Sequence, residues 1–191
     1  MITISLDDRQ LKVLEKALGD SKKQLGKIVV RIANKTAAKH QTQISKKLRT
    51  FVKVNATTAK ESLSIRKARE PNHFSAKVVI NKTKRIALNR FGAKQNKKGV
   101  NYRISKTEKG FIKSAFIIET KSGHVFTRKN PYVAKGPRDP NRQLTTPYRG
   151  TTMWNVYDRH KLEEWSQRET ANEMLFQLDV QLKSILKRQG K

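Results

Sequence analysis

The hydrophobic positions of the first fifty residues recur at helical spacing. Leu6, Leu11, Leu14 and Leu18 mark a short first helix, and Gly19 followed by Asp20 and Ser21 reads as a stop and a fresh N-cap. From Ser21 onward, Leu25, Ile28, Val29, Ile32, Ala33, Ala37, Ile44, Leu48 and Phe51 describe one apolar stripe. It runs over about eight turns, roughly 45 Å. Thr58 and Glu61 have the spacing of a capping box ahead of Leu63, Ile65 and Ala68. That predicts a third, brief helix over 58–69, ended by Pro71 because proline disfavours helix at the residue before it.

Beyond Pro71 the period changes to two. Phe74, Ala76, Val78 and Ile80 alternate with Ser75, Lys77, Val79 and Asn81, the signature of a strand with one buried face. Further strands are predicted over 85–91, 100–105, 111–119 and 124–129, with turns at 96–99 and 121–123. Residues 130–152 contain four of the five prolines and read as a long irregular connection that becomes ordered on docking. The chain closes with an amphipathic helix over 156–188, in which Leu162, Trp165, Met174, Leu175, Leu178, Leu182, Ile185 and Leu186 form the apolar face.

The fold class expected is therefore α+β. Long N-terminal helices (1–70) lead into a central curled antiparallel sheet of about five strands (72–129). The long loop and the C-terminal amphipathic helix follow, all within a single domain of 191 residues.

Charge changes this picture from a fold to a surface. Forty-three Lys and Arg stand against 15 Asp and Glu, a formal net charge of +28, and such a surface must meet anions: nucleic-acid phosphates, an anionic membrane or an acidic protein. The membrane is the weakest of the three. No stretch approaches the roughly 18 apolar residues of a spanning helix, and the N-terminus carries acids where a signal peptide carries bases, so the chain is expected to be made and used in a cytoplasm.

The densest cationic pattern lies on the long helix. Lys23, Lys27, Arg31, Lys35 and Lys39 follow one another at intervals of four, and no acid occurs between Asp20 and Glu61. Like charges at that spacing repel by a few tenths of a kcal/mol per pair, which a negative partner would relieve. Solvation and salt screening relieve it as well, so a plain solvated face is the other reading.

Chemistry beyond charge is sparse. Between Pro71 and Tyr157 there are three acids against nineteen Lys and Arg, too few for paired-carboxylate catalysis. His40, His73, His124 and His160 lack metal-site spacing, and there is no cysteine to supplement them. Gly92, Gly99, Gly110 and Gly123 fit turns and not a phosphate-cradling loop. No enzyme, metal or cofactor is expected.

Phe91, Lys94, Lys97, Lys98, Tyr102 and Arg103 interleave bases with aromatics, as single-strand-binding surfaces do. A charged hairpin tip flanked by core aromatics has the same pattern. With no helix-turn-helix, zinc-finger, RRM or KH signature, any nucleic-acid contact would be backbone-directed and salt-sensitive.

One segment carries a family likeness. The run Ile86-x-Leu88-x-x-Phe91-Gly92-Ala93-x-Gln95, then Lys97-Lys98-Gly99-Val100-x-Tyr102, the later Ser114-Ala115-Phe116-Ile117, and Gly123-His124-Val125-Phe126-x-Arg128 resemble the prophage minor tail protein Z family, the lambda-type tail completion proteins. The likeness is specific between Arg85 and Lys129 and looser over most of the chain. It departs at 143–153, where the family pattern has a Leu-Pro strand and a Gly-Pro-Ser turn and this chain reads Leu144-Thr-Thr-Pro-Tyr-Arg-Gly150-Thr-Thr.

The resemblance implies a non-catalytic virion component at the head-proximal end, or neck, of a phage tail, helping head-tail joining. It implies a homohexameric ring stacked on the tail terminator and tail tube proteins, near the head-tail connector, around a channel of sequence-nonspecific double-stranded DNA. The candidate contacts with DNA or acidic partners are then Lys23, Lys27, Arg31, Lys35, Lys39, Lys94, Lys97, Lys98 and Arg128. Phe91, Gly92, Ala93, Gln95, Gly99, Tyr102, Gly123, His124 and Phe126 are structural.

Overall fold

In a computed structural model of the chain, the described residues are 2–18, 22–69, 74–128 and 143–188. Helix and strand are mixed, and a long C-terminal helix is present. The chain divides into two compact units. Unit 1 comprises Met1–Lys46, Leu63–Asn81 and Tyr157–Lys191, and unit 2 comprises Lys47–Ser62 and Lys82–Val156.

Unit 1 begins with a strand, β1 (Ile2–Ile4), and not directly with a helix. Helix α1 (Asp8–Leu18) is opened by a reciprocal cap: Gln10 N–H donates to Asp7 Oδ1 at 2.7 Å, and Asp7 N–H donates to Gln10 Oε1 at 3.0 Å. The expected stop at Gly19, Asp20 and Ser21 lies outside the described residues, between α1 and α2 (Lys22–Phe51). The predicted α2 stripe is the buried one: Val29, Ile32, Ala33, Ala37, Ile44 and Leu48 are all within the core.

Strand β2 (Leu63–Arg66) replaces the second half of the helix expected over 58–69. β-branched Ile65 and the serines at 62 and 64 favour an extended chain there, and α2 receives it. Gln41 Nε2 donates to the Leu63 carbonyl at 3.1 Å, and Asn34 both donates to the Ala68 carbonyl (3.1 Å) and accepts from its N–H (2.8 Å).

With β3 (Ala76–Ile80) these strands form an antiparallel sheet of order β1-β3-β2. Its register puts Ile2, Val78 and Ile65 in one row, Ile4 with Ala76, and Leu63 with Ile80. One face is therefore entirely apolar, as the alternation over 74–81 requires. Pro71 and His73 lie outside the described residues.

The predicted C-terminal helix is interrupted. Helix α4 (Met153–Arg159) ends before α5 (Glu163–Arg188) begins. Lys161 takes a left-handed conformation (φ 46°), Leu162 N–H donates to Tyr157 O, and Lys161 N–H donates to Asp158 O. This is the Schellman arrangement, which usually uses glycine; with lysine in that place the break leaves no mark in the sequence. Leu178 and Ile185 of α5 pack on Leu14 of α1 and on Val29 and Ile32 of α2, with Leu11, Leu25, Ile28, Met174 and Leu182 around them.

Unit 2 holds the remaining strands, and they do not form one curled sheet. Helix α3 (Ala56–Glu61) is capped by Asn55, whose Oδ1 accepts from Thr58 N–H at 2.8 Å, one turn before the capping box expected at Thr58. The strands that follow are β4 (Arg85–Ala87), β5 (Lys94–Asn96), β6 (Gly99–Arg103), β7 (Lys109–Lys113), β8 (Phe116–Ile118), β9 (His124–Phe126) and β10 (Arg149–Thr152). They pair as β10-β4, β5-β6-β7 and β8-β9.

The separation has local causes. A 3-10 turn over Leu88–Phe91, closed by Gly92 at φ 67°, cuts β4 from β5, and Ser114 at φ 58° cuts the strand expected over 111–119 into β7 and β8. Across that cut Gln95 Oε1 accepts from Ile117 N–H at 2.8 Å, a side chain standing where a backbone ladder would continue. The irregular connection expected over 130–152 is also shorter than predicted. Its residues 130–142 lie outside the described residues, but Leu144 bridges Arg128, Tyr148 N–H donates to Val125 O, and β10 completes a sheet with β4.

Candidate nucleic-acid interface

The cationic stripe of α2 is exposed at Lys27, Arg31, Lys35 and Lys39. Lys23 belongs to the same helix, with its side chain outside the described residues. Steps of four residues advance by about 40° beyond a full turn, so five positions spiral by about 160° around the axis. The stripe is a ribbon that wraps the helix and not a single flat face. At its start Lys27 and Arg31 line a cleft of about 340 Å³ with Gln181, Ser184 and Ile185 of α5. Arg31 Nη1 reaches Gln181 Oε1 at 3.5 Å.

Unit 2 carries the greater share of the charge: 22 Lys and Arg against 4 Asp and Glu. The motif residues between Phe91 and Phe126 form the scaffold beneath it. Phe91 is fully buried, and a Cβ added at Gly150 would come within 2.5 Å of its ring. Gly92 and Gly123 take left-handed turns at φ 67° and 66°, the conformation glycine adopts without steric cost. Ala93 is half-buried, Phe126 is buried, and half-buried His124 lies with its ring 6.4 Å from that of Phe126.

Tyr102 is half-buried over Gly110, where a Cβ would sit 2.3 Å from the phenol oxygen. Neither aromatic of the interleaved pattern, Phe91 or Tyr102, is therefore on the open surface, as a charged hairpin tip flanked by packed aromatics requires. Phe91 is buried at the end of the 3-10 turn, and Tyr102 stands on the side of β6 opposite the exposed rows, against Gly110.

Of the candidate contacts in unit 2, Lys94, Lys97 and Lys98 come together on the β5-β6 hairpin, all exposed. Asn96 Oδ1 accepts from both Lys98 N–H and Gly99 N–H at 2.9 Å, holding the two lysines at the tip. Arg128 stands elsewhere, beyond β9, with its guanidinium 5.6 Å from the centre of the Phe116 ring.

The register of β5-β6-β7 shows a surface that the sequence reading did not assemble. Lys94, Asn101 and Phe111 form one row, Asn96, Gly99 and Lys113 the next, and Arg103 and Lys109 a third. Residues directly opposite in antiparallel strands share a face, and in all three rows every residue except Gly99 is exposed. This face holds Lys94, Arg103, Lys109 and Lys113, no acid, and one aromatic, Phe111, 47% exposed. Lys109, Phe111 and Lys113 were visible only as alternate positions of one strand.

Among the described residues the histidines are not gathered into a site. His40 is fully buried, its Nε2 2.8 Å from Ser166 Oγ and its ring 6.5 Å from that of Trp165. Burial holds its pKa below the usual histidine value, with Gln43 pulling weakly the other way. Burial likewise pushes the Tyr157 phenol up, opposed by the nearby Ser166 side chain. Among the described residues no group of three or more His, Asp or Glu could hold a metal ion, and no helix is long and apolar enough to cross a membrane.

What the surface defines is a class: a basic α+β protein with an acid-free cationic sheet face. No family model, no curated protein and no solved structure matches the chain.

Proposed function

We propose that the chain is a non-catalytic structural protein that completes the head-proximal end of a phage tail. In this reading copies of it form a ring against the tail terminator and tail tube, in a virion assembled in the bacterial cytoplasm. Cationic surfaces then meet double-stranded DNA in the channel or acidic neighbours. The observation that carries this reading is how the family-like segment is used. Its motif residues Phe91, Gly92, Gln95, Tyr102 and Phe126 serve turns and packing, and lysine and arginine are prominent in the outward layer. A cationic wall serves a polyanion and also joins rings by charge complementarity.

Quantitative mass spectrometry of gradient-purified particles tests it. Roughly six copies per tail are expected from ring symmetry, and absence from the particle refutes the reading. Exchanging Lys27 and Arg31 for Glu, and separately Lys97 and Lys98 for Glu, then separates incorporation from DNA retention. A second reading, a free sequence-nonspecific nucleic-acid-binding protein, is favoured by the concentration of charge on unit 2. It requires tight binding by the isolated chain with a steep salt dependence.

A further inference from the structure

We infer that the exposed face of β5-β6-β7 takes single-stranded nucleic acid, with an unpaired base stacked on Phe111 and the backbone held by Lys94, Arg103, Lys109 and Lys113. The inference rests on the polyanion-binding part of the reading above and adds to it the state of the nucleic acid.

Phe111 is 47% exposed and stands on the outward side of β7. Along β7, Lys109, Phe111 and Lys113 occupy one face at two-residue intervals, about 6.8 Å apart. The strand therefore presents cation, ring, cation in line. Across the sheet, Lys94 stands in the Phe111 row and Arg103 in the Lys109 row. A phosphate backbone crossing the ring would meet a positive charge on each side.

The ring itself is seated. A Cβ at Gly99 would fall 2.9 Å from Phe111 Cζ, so the ring leans over a position without a side chain. The glycine supports one side of the ring and nearly half of its surface remains in solvent. Asn96 and Asn101 supply uncharged hydrogen-bonding groups on the same face.

Duplex DNA offers such a surface its phosphates but keeps its base faces stacked. An acidic protein offers carboxylates, with a flat ring only where its own sequence happens to place an aromatic beside them. An unpaired nucleotide carries a phosphate and a flat base in every repeat and so uses all the features at once, and stacking on an aromatic adds affinity without base preference.

Fluorescence anisotropy with the full chain tests this against three probes: a labelled 20-nucleotide oligo-dT, the corresponding duplex, and polyglutamate of similar charge. Phe111→Ala is expected to weaken oligo-dT binding about 10- to 100-fold and to change the other two less than twofold. Phe111→Trp is expected to keep the affinity and to show quenching on addition of oligo-dT that the wild-type tryptophans do not show, which also reports a folded sheet. Exchanging Lys94, Lys109 and Lys113 for Gln should weaken all three probes and lower the single-strand salt slope by about 2.

Unchanged oligo-dT affinity in Phe111→Ala, or an equal loss on all three probes, overturns the base-stacking assignment while leaving polyanion binding in place. Failure of the wild-type chain to bind any probe at low salt overturns both.

Discussion

Lowering the pH from about 7.5 to 5.5 should destabilise unit 1 through one side chain. His40 is fully buried on α2 with its Nε2 on Ser166 Oγ, while its Nδ1 and the Gln43 Oε1 make no hydrogen bond at ordinary geometry. The neutral ring suits this seam. Trp165 stands beside it, and Gln43 Nε2 donates to Glu169 Oε2 at 3.2 Å. No carboxylate bonded to the ring offsets the burial of a positive charge.

The folded pKa lies below the ordinary value near 6.5, so below that pH the unfolded chain binds a proton that the folded chain refuses. Stability is full above the unfolded pKa and is lost as pH falls toward the folded one. The slope cannot exceed about 1.4 kcal/mol per pH unit, which corresponds to a fall of at most about 3–6 °C in Tm per unit for a chain of this size. Thermal melts of wild type and His40→Leu at constant ionic strength, at pH 7.5, 6.5 and 5.5, isolate the effect from the other three histidines. The variant should have the shallower dependence. Parallel curves would refute the argument, whatever the offset between them.

Three further outcomes follow from particular contacts. Gly99→Ala places a Cβ 2.1 Å from the Ile112 carbonyl oxygen, a backbone atom that cannot step aside, whereas at Gly92 the nearest atoms are the Lys53 side chain at 3.8 Å. Overpacking at Gly99 should cost about 1–3 kcal/mol and exceed the cost of Gly92→Ala in urea denaturation; the reverse order would contradict the strand register. Asn34→Leu removes both hydrogen bonds to the Ala68 backbone and should cost about 1–3 kcal/mol. Hydrogen exchange at the Ala68 amide should rise with it, and unchanged protection there would show that the tie is not made. Ile44→Ala, at a fully buried position of α2, should cost about 2–5 kcal/mol, and a loss below 1 kcal/mol would place that part of the stripe outside the core.

Periodicity was informative because it is local. The long α2, its buried stripe, the strand over 76–80 and the part of the α5 face at Met174, Leu178, Leu182 and Ile185 were legible from spacing alone, since each depends on which positions of one element share a side; Leu175 and Leu186, expected on the same face, are exposed. So was the charge, which is a count. The breaks at Ser114 and Lys161 were not legible, because both occupy left-handed turns where glycine is the usual signal. Nor was the strand at 149–152, whose partner β4 lies more than sixty residues earlier.

The candidate surface divides in the same way. Sequence alone determined that the region around Lys94 is cationic, acid-poor and strand-forming. Only tertiary structure decided that Phe91 and Tyr102 turn inward while Phe111 stays out between Lys109 and Lys113. Alternation along a strand says that two faces exist, but which of them is covered depends on the neighbouring strands and on the core they close over. That choice is made by contacts between residues distant in sequence.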